Sequence, residues 1–335
     1  MSLITASSSL LPLPGADDRY AVRQHQGEGP GPAPALPPAY EPFLYLKPAH
    51  LALQRHPGIR HTFYLEDQTA GLTVAQLQVV AEPGTGTGHS PWQAPFGAVQ
   101  LADVPAAVLE SFLETVHATL RAHGLSRLRL RSYPFAYDPA GSARLTHVLR
   151  RLGYAVELAE LNNHLALNSS FESRLHPSER RRLQKCRRHG FVFEQEPPLL
   201  LPLAYDFLAR CREEKGQQLS LPLERLQELF VAFPRQHFLF SVRDAAGQWA
   251  ALTVAIQVSS QVLYNFYPAS PLAFNGFSPV VMLNEGLHTF GRANGMQLLD
   301  LGTSTLPTGL NHSLLQFKRH LGGVLSLKLT FAKQL

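Results

Sequence analysis

Cysteine is scarce in this chain of 335 residues: only Cys186 and Cys211 occur. Two cysteines build neither a disulfide framework nor a cysteine-held zinc site. Charge is thin as well, at 16% of residues, against ~25% in average domains. With 45% apolar residues, that balance excludes a disordered chain or a coiled coil and implies much buried surface. Clean apolar runs of the ~20 residues that a spanning helix needs are missing too. The uncharged stretch from Ala245 to Asn284 is broken by Gln248, Gln257, Gln261, Asn265, Asn275 and three prolines. Its alternation (Leu252, Val254, Ile256, Val258, then Val262, Tyr264, Phe266) has the period of two strands. The N-terminus lacks the basic start of a secretory leader, and the chain reads as cytoplasmic. H-E-x-x-H, G-x-x-x-x-G-K-[ST] and G-x-S-x-G are absent. The fifteen histidines show no ligand spacing, so no metal site is expected. Gly84-Thr-Gly-Thr-Gly88 lacks the lysine of a phosphate loop and reads as a turn. A net charge of +5 is compatible with an anionic partner and selects none.

What is present is a repeat. At ~100–200 residues per domain the length implies two domains. Ten prolines precede residue 60, so residues 1–40 are expected to be a solvated Pro/Gly-rich tail. Beyond it, His61–Asp67 with Leu72–Val80, and His237–Asp244 with Ala251–Val258, each read as a hairpin. A helix ending at a glycine follows each hairpin: Val108–His123 before Gly124, and Val280–Asn294 before Gly295. Strands 127–131 and 297–301 come next, then helices closed by Leu-Gly at Gly153 and Gly322. The copies are offset by 171 residues (295 − 124) and by 169 (322 − 153), which identifies a tandem duplication. Between the copies lie a basic helix (178–189), a strand (191–194) and two further helices (203–214 and 222–233). The expected architecture is α/β: two units, 41–168 and 169–335, each a mixed sheet with helices packed on its faces.

Four segments carry a family resemblance: Arg180-Arg-Arg-Leu-Gln-Lys-Cys-Arg-Arg-His-Gly-Phe-Val, Tyr264-Asn-Phe-Tyr-Pro-Ala-Ser270, Leu299-Asp-Leu-Gly302 and Leu315-Gln-Phe-Lys-Arg-His-Leu-Gly-Gly323. In order and spacing they resemble the Gcn5-related N-acyltransferase (GNAT) fold. The tandem arrangement resembles the FemABX peptidyl transferases and their FemAB-like relatives. The resemblance implies transfer of an acyl or aminoacyl group from an activated donor to an amine. It places the donor in the second unit and the acceptor in a cleft between the units. Aminoacyl-tRNA is the donor that the family implies and acyl-coenzyme A the alternative, with no tightly bound cofactor. A cell-wall precursor is one amine acceptor to consider. A non-catalytic module for an anionic ligand or RNA is the reading from a different class. Two departures stand out. The loop Pro271–Pro279 has one glycine, Gly276, where the family's coenzyme A loop has several, and no helical-hairpin arm is present.

Several residues are candidates for the chemistry. Ser278-Pro279 reads as a helix start, with the hydroxyl as N-cap and free N–H groups for a phosphate, or as a plain cap; Asn275 and Gly276 precede it. Lys318, one of six lysines, follows Phe317, and Leu149 holds the matched position of the first copy. The resemblance puts Phe317 and Lys318 beside the donor's phosphates, and a fixed ammonium there would also stabilise an oxyanion. Tyr264 and Tyr267 are expected on opposite strand faces, with Asn265 sharing that of Tyr267. Tyr267 is read as a proton relay or carbonyl donor, or else as a packing residue. Asp300, an acid among leucines, is a general base or a loop anchor. The loop from Ser304 through Asn311 to Ser313 is expected to shape an acceptor pocket, together with Tyr264 and Asn265. Arg180, Arg181, Lys185 and Arg188 form an RNA or phosphate patch, or else a solvated helix face.

Overall fold

The computed structural model describes residues 7–14, 17–29, 31–306 and 309–335. The chain divides into two compact units, residues 1–160 with 327–335, and residues 161–326. The last nine residues thus belong to the first unit, whereas the sequence placed them in the second. No helix among the described residues is long and apolar enough to cross a membrane.

The first unit opens with β1 (Ser7–Pro12) and β2 (Tyr20–Gly27). A short helix α1 (Pro48–Leu53) precedes the hairpin β3 (Arg60–Asp67) and β4 (Leu72–Glu82). Strands β5 (Thr87–Ser90) and β6 (Gln100–Leu101) both pair with β4. Helix α2 (Ala106–Ala122), β7 (Arg127–Arg131) and α3 (Pro139–Arg151) follow. β1, β2, β3 and β4 pair antiparallel in chain order, and β5 runs parallel to β7. The alternation of β3 and β4 buries Phe63, Leu65, Leu77 and Val79 in one core with Leu113 and Val116 of α2 and Val148 of α3.

The expectation of a solvated tail is overturned. β1 and β2 extend the sheet, and the proline-rich run after them is tied to its second face. Tyr64 Oη donates to Pro32 O at 2.8 Å, Thr73 Oγ1 to Leu36 O at 2.8 Å, and Ala39 N to Thr73 O at 2.9 Å. Proline lacks an N–H but leaves carbonyls free to accept; the Tyr64 and Thr73 side chains use two of the run's carbonyls, and at Pro38 the run forms one parallel bridge to Thr73.

β8 (Ala155–Ala166) leads into the second unit, where α4 (Phe171–Arg174) and the basic helix α5 (Pro177–Arg188) come first. Strand β9 (Val192–Glu196), helices α6 (Leu201–Glu213) and α7 (Leu223–Ala232), then strands β10 (His237–Arg243), β11 (Trp249–Ser259) and β12 (Val262–Asn265) continue it. Helix α8 (Val280–Ala293) crosses over to β13 (Leu298–Thr303). A small hairpin, β14 (Thr305–Leu306) and β15 (Gly309–Leu310), leads to α9 (His312–His320), and the closing strand β16 (Val324–Gln334) pairs with β7 through its residues 330–334. The sheet order is β8-β13-β12-β11-β10-β9, antiparallel except for the parallel pair β12 and β13 that α8 connects. Phe240, Ala255, Leu263 and Leu299 pack with Leu183 of α5 and Leu283 and Leu287 of α8. On the other face Phe207 of α6 meets Trp249 and Phe230 of α7 meets His237. Each unit is therefore a mixed sheet with packed helices, as the duplication implied. The glycines expected to end α2 and α8, Gly124 and Gly295, have φ of 81° and 72°, a conformation that glycine adopts without steric penalty.

Candidate functional site

In the second unit β12 and β13 pair in parallel for three residues, with Tyr264 opposite Asp300. On the far side of β13, Asp300 is opposite His164 of β8. Because successive side chains alternate, Tyr264, Asp300 and His164 form a row across three strands on one face, while Leu263, Leu299 and Leu165 point into the α8 core. The acid read from Leu298-Leu-Asp-Leu is thus buried among polar partners. Its Oδ1 accepts from Asn162 Nδ2 at 2.8 Å and from Gly302 N at 2.7 Å.

Gly302 turns the strand. Its φ is +74°, and the β8–β13 register shifts between Asp300 and Gly302. The Tyr264 ring lies against it: a Cβ at this position would sit 3.4 Å from that ring. The turn presents two successive carbonyls to Lys318 of α9, whose Nζ donates to Gly302 O at 2.9 Å and Thr303 O at 2.8 Å. Lys318 is 6% exposed. Burial pulls its pKa down to about 8, against the opposing pull of the Asp300 carboxylate. An ammonium has three N–H donors; two are spent here, and the third has no acceptor among the described residues. His164, opposite Asp300 on β8, is held below its ordinary pKa by burial, with Asp300 acting the other way, and its buried Nδ1 has no partner among the described residues. The arrangement is a shielded positive charge with one uncommitted donor, and a neutral imidazole opposite Asp300, the carboxylate that acts on both.

Other expected residues serve differently. The N–H groups of Phe266 and Tyr267 both converge on Val254 O, at 3.0 and 3.2 Å, a bulge at the end of β12. It cancels the expected alternation, so Tyr264, Phe266 and Tyr267 form one continuous set of ring contacts, the last pair stacked at 4.0 Å. The Tyr267 hydroxyl is engaged with Ser220 Oγ at 2.5 Å and with Leu221 N at 3.0 Å, tethering the loop after α6. Asn265 is buried under α8, bonded to Thr253 and Asn284 rather than facing a groove. Ser278 does not cap α8. It has φ of 54°, Pro279 occupies the cap position, and no side chain satisfies the helix start. An N-cap residue has extended backbone that turns its hydroxyl toward the first free N–H groups, whereas the turn from Phe274 holds Ser278 in the left-handed region. Asn275 and Gly276 are exposed in that turn. Phe317 packs against the second unit's core. Ser304 is buried and accepts from Asn163 Nδ2 at 3.1 Å, and Asn311 caps α9 through Leu314 N at 3.0 Å. Pro307 and Thr308 of the expected acceptor loop lie outside the described residues.

The basic helix is largely spoken for. Arg180 donates to Glu172 O, and Lys185 donates to Gly276 O at 2.9 Å with its ammonium over the Phe277 ring. Arg182 pairs with Glu179, and Arg187 with Glu172 and Glu285. Of the four residues expected as a patch, Arg181 and Arg188 alone are exposed with no hydrogen bond or ion pair among the described residues.

Residues missed by the sequence are His164, Asn162 and Arg212. Arg212, on α6, donates to Gln217 Oε1 at 3.0 Å and Pro268 O at 3.4 Å. Burial lowers its pKa, and Tyr267 and Tyr264 oppose that. The one available signal was Asn162-Asn-His164, a polar run that fits a strand poorly unless partners await it.

Solved structures that share little sequence with this chain have a similar fold. FemX matches with a TM-score of 0.65 at 13% identity, over 82% of this chain and 87% of its own. This chain has the FemX-like tandem GNAT fold. L-PGS from Bacillus licheniformis gives a TM-score of 0.54 at 12% identity, covering 81% of this chain and 83% of that one. A tandem GNAT protein from the clavulanic acid biosynthesis pathway gives 0.52 at 11% identity, with coverages of 88% and 90%. No protein-family model and no curated protein matches the sequence.

Proposed function

We propose that this tandem GNAT-fold chain is an acyltransferase that moves an acyl or aminoacyl group from an activated donor to an amine. The observation that carries the reading is Lys318, a buried ammonium with one uncommitted donor at the turn of β13. In such a transfer the amine nitrogen attacks the donor carbonyl, and negative charge develops on its oxygen. A shielded cation with a fixed N–H stabilises that charge far better than water does. The donor's C–O or C–S bond then breaks, the amide bond forms and the amine gives up a proton. Asp300 keeps Lys318 charged, and the neutral His164 is the group suited to receive the proton. Tyr264 lies against Gly302 and shapes the floor. Asn275 and Gly276, exposed before α8, are the contacts this reading gives to the donor's distal part. The engaged hydroxyl of Tyr267 assigns it to holding the loop at 220–221. The fold likeness to FemX and to a tandem GNAT protein supports this class of reaction. The latter structure is described as without acetyl-CoA, which makes a coenzyme A thioester a donor to test beside aminoacyl-tRNA.

The test is equilibrium binding of aminoacyl-tRNA, acetyl-coenzyme A and a long-chain acyl-coenzyme A to wild type and Lys318→Ala across a salt series. One donor is expected to bind and to lose tenfold or more in the variant. Salt sensitivity that persists in Arg181→Ala/Arg188→Ala would show that α5 is not an RNA contact. Binding of none, or equal binding by Lys318→Ala, overturns the donor site.

A further inference from the structure

The first unit holds a cavity that the proposed transfer does not use. Alternation along β3 turns Arg60, Thr62 and Tyr64 away from the core residues Phe63 and Leu65, toward the face to which the proline-rich run is tied. There a cavity of about 460 Å3 is lined by residues that include Ser8, His25, Glu28, Arg60 and Thr62. Its volume suits a small organic molecule rather than a lone ion.

Arg60 is the anomaly. It is 2% exposed, and among the described residues its guanidinium donates only to two backbone carbonyls, Gln54 O at 3.1 Å and Gly29 O at 3.5 Å. Its Nε–H is shut off from solvent without a partner. Glu28, the acid on the cavity wall, is exposed and forms no ion pair with Arg60 among the described residues. Burying a guanidinium without a counter-charge is costly, and native structures pair such groups. The neighbours add donors. His25 is opposite Thr62 in the β2–β3 register, and its Nε2 is buried without a partner. Thr62 Oγ1 already accepts from Gln78 Nε2 at 3.3 Å, which leaves its proton to give. Gly31 closes the chain over this row: a Cβ there would come within 2.4 Å of Thr62 Oγ1.

A buried cation, an unpartnered imidazole nitrogen and a hydroxyl with its proton still to give share one cavity, whose one acid, Glu28, forms no ion pair with the cation among the described residues; together they describe a site for an anion. We propose that this cavity binds the anionic group of a small organic ligand, a carboxylate or a phosphate, with Arg60 as its counter-charge. The site belongs to the first unit alone and does not depend on the transfer reaction.

The test is isothermal titration of the full chain with inorganic phosphate and with acetate, at ionic strength held constant by sodium chloride. Saturable one-to-one binding of at least one anion is expected, and which one binds identifies the ligand's head group. Arg60→Met should weaken it at least tenfold, and Thr62→Val about threefold. Circular dichroism reports whether Arg60→Met folds; if it does not, Thr62→Val alone decides. Binding of neither anion to wild type overturns the proposal, as does unchanged affinity in the folded Arg60→Met or, failing that, in Thr62→Val.

Discussion

Replacing Asp300 with asparagine should lower the pKa of Lys318 while leaving the shape of the site intact. Asparagine keeps an oxygen for Asn162 Nδ2 and Gly302 N, the two bonds that Asp300 Oδ1 now accepts, but removes the negative charge. Burial has already brought Lys318 from 10.5 to about 8, a penalty on its charged form of about 3 kcal/mol at ~1.4 kcal/mol per unit. An opposite charge within ~4–6 Å is worth about one to three units, so its loss should move the midpoint down by about one unit or more. With only six lysines in the chain, labelling their ε-carbons gives an NMR titration in which Lys318 stands apart. Wild type should show one lysine titrating near 8, and Asp300→Asn should shift that signal alone. The sign also fixes the stability profile. Below about 8 Lys318 is protonated in folded and unfolded chains, and the burial penalty is present in full. Between about 8 and 10.5 the unfolded chain holds the extra proton, so this residue's penalty fades and its contribution to stability rises with pH. A transferase should have a basic limb near the same midpoint, displaced toward acid in Asp300→Asn. A Lys318 that titrates near 10.5 in wild type, or does not respond to Asp300→Asn, would refute the electrostatic account of the site.

Three further outcomes follow from the packing. Burial pulls His61, His237 and His288 down to about 4 and His117 to about 3; the stability this confers is complete above pH 6.5 and is lost as pH falls toward 4, so urea midpoints should drop steeply across that window and less so in His237→Gln. Tyr267→Phe leaves Ser220 Oγ and Leu221 N without their partner, which should cost about 1–2 kcal/mol and expose the loop at 217–221 to protease; donor affinity that collapses instead would return Tyr267 to the chemistry. Gly286→Ala on α8 would put a Cβ 2.2 Å from the Phe193 ring, so the gain in helix propensity of ~1 kcal/mol should be outweighed and stability should fall by about 1–3 kcal/mol; a more stable variant in urea unfolding would contradict the packing of α8 on β9.

Much of the fold was legible because its signals are local. The hairpin pair β3–β4, the glycine stops after α2 and α8, and strand 127–131 all stand where period and turn residues put them. Lys318 was legible as a charge interrupting a matched helix, though its partners were not. What escaped depended on residues far apart in sequence. His164 matters because β8 lies beside β13, and its spacing of 136 residues from Asp300 carries no periodic signal. Tyr267 was misplaced because a bulge inserts one residue into the alternation, an event decided by where two N–H groups find an acceptor. The helix start at Ser278 was misread because the preceding turn holds its backbone at a positive φ, away from the extended conformation of a cap.

Sequence by itself determined the alphabet of this protein: α/β elements, their order, their duplication and the places where each helix must stop. These follow from side-chain period and backbone conformation, which neighbouring residues dictate. Tertiary structure decided everything that depends on which strand pairs with which. It paired Ser7–Pro12 and Tyr20–Gly27 into the first sheet, tied the proline-rich run to that sheet, and gave residues 327–335 to the first unit. It also buried Lys318 and Arg60, two cations whose sequence surroundings look ordinary. Burial is a property of the assembled layers, and only there does a charge acquire the solvation penalty that gives it a function.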